Sequence, residues 1–169
     1  HMKEVLDYYM PKIIKSDVLF REGLKESKFF IVSVHREENV DTPQNLRDLL
    51  ETLECLADAY KLPIIVSTHP RTRARLDELG FSSDNSLIYF SKPFGLFDYI
   101  KLQMKSFCIL SDSGTITEEA SLLNLSAITI RSAHERPEGM DEGTLIMCGL
   151  KKERVLEAIN VVTSQHNNK

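Results

Sequence analysis

The amino-acid sequence predicts an α/β fold, a doubly wound parallel sheet with helices on both faces. Three observations carry the prediction. Short runs rich in β-branched and aromatic residues recur between longer segments whose apolar residues fall at helical spacing. The short runs are apolar at successive positions, the pattern of strands buried on both faces. Each is separated from the next by enough chain for a crossover helix, which makes βαβ units.

In chain order, residues 1–2 (His-Met) read as a cloning scar. Residues 3–27, mixed and weakly patterned, read as an interdomain linker segment: a hinge, or a helix lying on a neighbour outside this chain. One domain is expected over 28–165, with a polar tail at 166–169. "KFFIVSV" (28–34) is the first strand. Thr42 is placed to cap a helix that opens on Pro43, although Asn45 stands where a capping box would have Glu or Gln. Leu46, Leu49, Leu50, Leu53, Leu56 and Tyr60 give that helix one apolar stripe. "PIIVST" (63–68) is the second strand and "RTRARLDEL" the helix after it. "SLIYF" (86–90) is the third strand, and "LFDYIKLQM" (96–104) a helix with Phe97, Ile100 and Met104 on one face. "FCILS" (107–111) is the fourth strand, "TITEEASLL" a helix, and "SAITI" (126–130) the fifth strand. "LIMCG" forms a short sixth, and Val155, Ile159 and Val162 mark a closing amphipathic helix.

Composition excludes several function classes. A net charge of −4 argues against gripping a nucleic-acid backbone. No apolar run approaches the ~20 residues needed to cross a bilayer, so no membrane partner is expected. Cys55, Cys108 and Cys148 stand far apart without C-x-x-C spacing, which fits buried thiols in a reducing cytoplasm better than disulfides or a metal site. No G-x-G-x-x-G and no G-x-x-x-x-G-K-[ST] occurs, which counts against NAD and ATP in their usual modes.

In an open parallel sheet, ligands bind beyond the carboxyl ends of the strands. Five strand ends carry polar or basic groups: His35–Asn39, His69–Arg71, Ser91–Pro93, Asp112–Thr115 and Arg131–Glu138. Ser113, Gly114 and Thr115 precede a helix, where free backbone N–H groups and the positive end of the dipole favour an anion. The plainer alternative is that Ser113 only caps that helix. Glu118 and Glu119 point about 100° apart, so one of them faces the cleft and can accept hydrogen bonds from sugar hydroxyls. His35, set among charges in "HREEN", can serve as a proton donor or an anion contact. His69 reads as a packing or hydrogen-bonding histidine, and Arg73 and Arg75 as a solvated helix face.

Four segments, "VSVHREENVD", "STHPR", "LSDSGTITEEA" and "RSAHERPEGMDEGT", together resemble the non-hydrolysing UDP-N-acetylglucosamine 2-epimerases. They are most similar to the capsule and O-antigen branch, which acts on UDP-2-acetamido-2,6-dideoxy-hexoses. The resemblance implies a GT-B architecture of two Rossmann-like domains, of which this chain is the C-terminal, UDP-binding one. It implies that Ser113, Gly114 and Thr115 hold the diphosphate and that Glu119 binds the ribose. Arg136 would approach the diphosphate, Tyr99 the uracil, and His35 the leaving group as acid or electrostatic stabiliser. It further implies no metal and no cofactor, a missing N-terminal domain that supplies the carboxylates at C2, and a homodimer when full-length. The family's fold also suits the donor domain of a GT-B glycosyltransferase. Many retaining members of that class have a second glutamate eight positions on, and Glu118 and Glu119 would reach Ser126 and Ala127 instead. A receiver-type interaction domain would lack reason for "HERPEG" and "SDSG" on one rim.

Overall fold

The computed structural model describes residues 2–80, 85–132, 143–147 and 150–167. Its elements run α1 (Met2–Lys15), α2 (Val18–Arg21), β1 (Phe30–Ser33), α3 (Glu37–Val40), α4 (Pro43–Tyr60), β2 (Ile64–Ser67) and α5 (Pro70–Glu78). There follow β3 (Ile88–Ser91), α6 (Leu96–Lys105), β4 (Cys108–Ser111), α7 (Ile116–Leu123), β5 (Ala127–Arg131), β6 (Thr144–Ile146) and α8 (Lys152–Asn167). The six strands form one parallel sheet in the order β3-β2-β1-β4-β5-β6. This is the doubly wound, Rossmann-like arrangement that the sequence predicts, and the chain reverses direction between β1 and β4.

Alternate residues of each central strand feed two cores. Phe30, Val32, Ile64, Val66, Cys108 and Leu110 pack with Leu46, Leu53 and Leu56 of α4 and Val155 and Ile159 of α8. Phe29, Ile31, Ile65 and Ile109 pack on the other face with Leu102 of α6 and Ile116 of α7. Both faces are therefore covered, which is why β1, β2 and β4 are buried at every position.

α4 opens with Pro43 at its first position and ends on Lys61 in the left-handed region at φ 56°. Thr42 occupies the N-cap with extended backbone, but its side chain makes no capping bond. Its hydroxyl is not what starts the helix; the fixed φ of Pro43 and the Leu46 N–H bonded to the Thr42 carbonyl are. The sixth strand starts at Thr144, one residue earlier than "LIMCG", because its pairing with β5 runs Thr129–Arg131 against Thr144–Ile146.

Before β1, the helices α1 and α2 are both seated on α6 of this same chain. Leu6 and Ile13 of α1 are buried. The Tyr9 ring packs on Phe97, with the Lys12 ammonium near both rings. Ser16 and Arg21 donate to the two oxygens of Asp98 at 2.5 and 2.7 Å. Burial pushes the Asp98 carboxyl up, but these two donors outweigh it and hold it below the usual carboxylate range.

Candidate functional site

Four neighbouring strands end on serine: Ser33, Ser67, Ser91 and Ser111. The register sets them side by side, Ser91 beside Ser67, Ser67 beside Ser33 and Ser33 beside Ser111. All four are buried. Small hydroxyl side chains at the carboxyl edge leave room above the sheet, and a cavity of about 510 Å³ opens there. That size suits a small-molecule ligand, and its place beside the β1–β4 reversal is where open α/β sheets bind them.

The cavity is built from four of the five strand ends singled out from sequence. β1 contributes Ser33 and His35; β2 and α5 contribute Ser67, His69, Arg71 and Thr72; the loop after β3 contributes Pro93 and Phe94. β4 and α7 contribute Ser111, Ser113 and Glu119, and α6 adds Tyr99 and Gln103 from the side. Of the fifth strand end, Arg131 and Ser132 are described; Arg136 lies outside the described residues.

The turn after β4 holds a directed chain of hydroxyls. The Thr115 hydroxyl donates to Glu119 Oε1 at 3.0 Å, and Ser113 Oγ lies 3.1 Å from Thr115 Oγ1. A hydroxyl has one proton, so with that of Thr115 committed to Glu119, Ser113 is the donor in this second bond. Ser113 Oγ also accepts from the Thr115 N–H at 3.3 Å, and the Ser113 N–H donates to Ser111 Oγ at 3.1 Å. This corrects the capping expectation. The N-cap of α7 is Thr115, without a side-chain cap bond, and Ser113 closes a turn ahead of the helix instead of capping it. The first N–H groups of α7 thus remain without a side-chain partner from Thr115, as an anion site needs.

Gly114 and Thr115 are exposed on the turn and do not line the cavity. A Cβ built at Gly114 would meet nothing within 4 Å among the described residues, so none of these demands a glycine there. Of the two adjacent acids, Glu119 faces the cavity while Glu118 is exposed to solvent.

His35 stands at the cavity mouth. Crowding by the surrounding protein holds its imidazole below the ordinary value of 6.5, His69 pushing the same way and the Asp112 carboxylate opposing. At neutral pH it is a neutral imidazole, able to donate one N–H. His69 caps α5, its Nδ1 accepting from the Arg71 N–H at 3.2 Å, the hydrogen-bonding role read from sequence, and it also lines the cavity. Tyr99 has its hydroxyl toward Ser33 and Gln103; burial raises its phenol above the usual value, and those two partners only partly offset the rise. Arg71 is held by Asp41 and Glu37. Arg75 bridges Asp41 and Glu78, so it is less of a free solvated cation than its helix position suggests.

Sequence reasoning missed two features. Asp112, placed on the rim by its number alone, is buried and accepts from the backbone of His35 and Arg36. The short helix α3, Glu37–Val40, was also missed; four residues give too little periodicity to register. Among the described residues no three His, Cys, Asp or Glu side chains converge as metal ligands do. No described helix is long and apolar enough to cross a membrane.

Comparison with known proteins shows the family. The family model described as UDP-N-acetylglucosamine 2-epimerase matches residues 1–169. A UDP-N-acetylglucosamine 2-epimerase of Methanocaldococcus jannaschii is 32% identical over 152 residues, which are 88% of this chain and 42% of the relative. The structure of a UDP-N-acetylglucosamine 2-epimerase from Rickettsia bellii superposes with TM-score 0.78 at 54% identity, over all of this chain and 45% of that one. The M. jannaschii enzyme in complex with UDP-GlcNAc and UDP superposes with TM-score 0.77 at 29% identity, covering 95% of this chain and 46% of the other. The chain therefore spans less than half the length of these relatives.

Proposed function

The chain belongs to the UDP-N-acetylglucosamine 2-epimerase family, and from that premise we propose that it is the UDP-binding, C-terminal Rossmann-like half of a GT-B nucleotide-sugar 2-epimerase. One observation carries the reading: Ser113 and Glu119 both line the cavity at the sheet reversal, linked through the Thr115 hydroxyl. The diphosphate rests on the Ser113-Gly114 turn and the first amides of α7, with Arg136 approaching it; the ribose diol donates to Glu119. Tyr99 lies on the uracil side.

His35 faces the departing diphosphate. A neutral imidazole donates an N–H to the bridging oxygen, and the incoming anion raises its proton affinity, so it can carry a proton to the leaving group. The reaction removes the C2 proton with anti elimination of UDP, leaving a glycal-type intermediate. Reprotonation at C2 from the opposite face and re-addition of UDP at C1 complete the inversion. The carboxylates acting at C2 come from an N-terminal domain of the same protein, so the 169-residue chain binds UDP but does not turn over alone. The substrate is a UDP-2-acetamido-(2,6-dideoxy)-hexose used in capsule or O-antigen synthesis, and the whole protein works in the cytoplasm as a homodimer without metal or nicotinamide.

Calorimetry with uridine, UMP and UDP tests the site. UDP is expected to bind at least about tenfold tighter than uridine, since charge-assisted bonds to the turn are available only to the diphosphate. Equal affinity for uridine and UDP, or no heat at saturating UDP, overturns the proposal.

A further inference from the structure

At the sheet reversal the chain leaves β1 and β4 toward opposite faces, so no main-chain ladder joins the two loops beyond the strand ends. The last ladder bond runs from the Asp112 N–H to the Ser33 carbonyl at 3.2 Å. Past it the Asp112 side chain takes over. Its Oδ2 accepts the N–H of His35 at 3.0 Å and of Arg36 at 2.9 Å, and Oδ1 accepts from the His35 N–H at 3.1 Å. Asn39 Nδ2 donates to Oδ2 at 3.1 Å. Asp112 is 3% exposed and Asn39 is 1% exposed. With its amide committed in this way, Asn39 leaves Oδ1 buried without a partner. A buried acceptor left unmet is costly, and the Asp112 carboxylate is what fixes the amide in that orientation.

We infer that Asp112 is a positioning residue that locks the loop carrying His35 to the anion-binding turn, so that the proton-carrying group and the diphosphate seat keep one relative geometry. The inference rests on the reading of Ser113 and Glu119 as a UDP site. Asp112 is not itself a ligand contact. It is spent on three donors, and a negative charge one residue before the turn opposes a diphosphate. Its benefit is geometric, and a misplacement on the order of an ångström is enough to cost a reaction heavily. The charge also bears on His35, which faces Asp112 and His69, with Arg71 and Glu119 on the same cavity.

The two effects have opposite signs, which makes the test decisive. Asp112→Asn keeps the shape, removes the charge and sets an amide donor toward the His35 N–H. The positioning role predicts UDP binding weaker by about tenfold in calorimetry, whereas charge removal alone would tighten it. The His35 imidazole, followed by NMR, is expected to titrate at lower pH in the variant. A folded Asp112→Asn protein that binds UDP as well as the parent, or better, overturns the inference. If that variant does not fold, Asn39→Ala decides. It retains the charge and the two backbone donors, and unchanged UDP affinity with unmoved His35 and Arg36 amide resonances overturns the role. If the parent chain itself does not bind UDP, the nucleotide reading falls. Asp112 is then judged on its geometry: His35 and Arg36 amide resonances that move in Asn39→Ala support the lock, and unmoved ones overturn it.

Discussion

Replacing Glu119 by alanine isolates the ribose contact. In the free protein Glu119 Oε1 accepts the Thr115 hydroxyl at 3.0 Å. A carboxylate offers about four acceptor positions, so a ribose diol can be accommodated without displacing Thr115. Each hydrogen bond to a charged acceptor is worth about 1.5–3 kcal/mol by deletion. Glu119 is only half-buried at the cleft, so water competes and the lower end applies. Two such bonds give roughly 3 kcal/mol, and relief of repulsion between the carboxylate and the diphosphate, screened by salt, returns up to about 1 kcal/mol. The net is about 2 kcal/mol, a rise in Kd of roughly 30-fold. The assay is a two-by-two calorimetric cycle of parent and Glu119→Ala against UDP and 2′-deoxy-UDP. The parent is expected to lose about tenfold on removal of the 2′-hydroxyl, and the variant to lose nothing further. An equal 2′-deoxy penalty in both proteins refutes the ribose assignment, whatever the absolute affinities.

Gly114→Ala is expected to leave thermal stability within about 0.5 kcal/mol of the parent, because the new methyl meets nothing within 4 Å among the described residues, yet to weaken UDP binding about tenfold or more by standing where a phosphate approaches. For His35, the folded state holds the imidazole below its ordinary 6.5, so between the two values the unfolded chain binds more protons. Stability therefore falls as pH drops through about 6.5, the penalty being complete below the folded value; His35→Gln is expected to flatten that part of a Tm-against-pH curve, and an unchanged slope would contradict the shift. Leu53→Ala, at a fully buried position under the sheet, is expected to cost about 2–5 kcal/mol and to lower Tm by roughly 5–15 °C in thermal denaturation.

The strands were legible because both faces of the sheet are covered. "FIVS", "IIVS" and "CILS" are apolar up to their final serine for the same reason that they are buried throughout. The order of the strands was not legible: nothing local in "KFFIVSV" says that its second partner is "FCILS" and not "SLIYF". The helix over Met2–Lys15 was obscured because its buried face rests on two residues, Leu6 and Ile13, and carries Pro11 inside it. In the site, the angle of about 100° between Glu118 and Glu119 said that one acid faces the cleft, but it was the family resemblance that pointed to Glu119. Ser113 could be placed from spacing. Asp112 could not. An aspartate after a strand signals a turn or a ligand equally well, and its partners are backbone N–H groups more than seventy positions earlier, which no sequence pattern records.

The in-register serines have a consequence for the shape of what can be held above them. Ser67, Ser33 and Ser111, which end three adjacent strands and line the cavity, leave a level shelf, two strand spacings or about 10 Å from end to end, with no bulky side chain among them to make a step. A rigid, elongated guest can lie across it lengthwise, touching one strand with its base and another with its phosphates. Exchange of any one serine for valine or leucine would tilt that shelf, and the span of the guest, more than its charge, would decide whether it still fits.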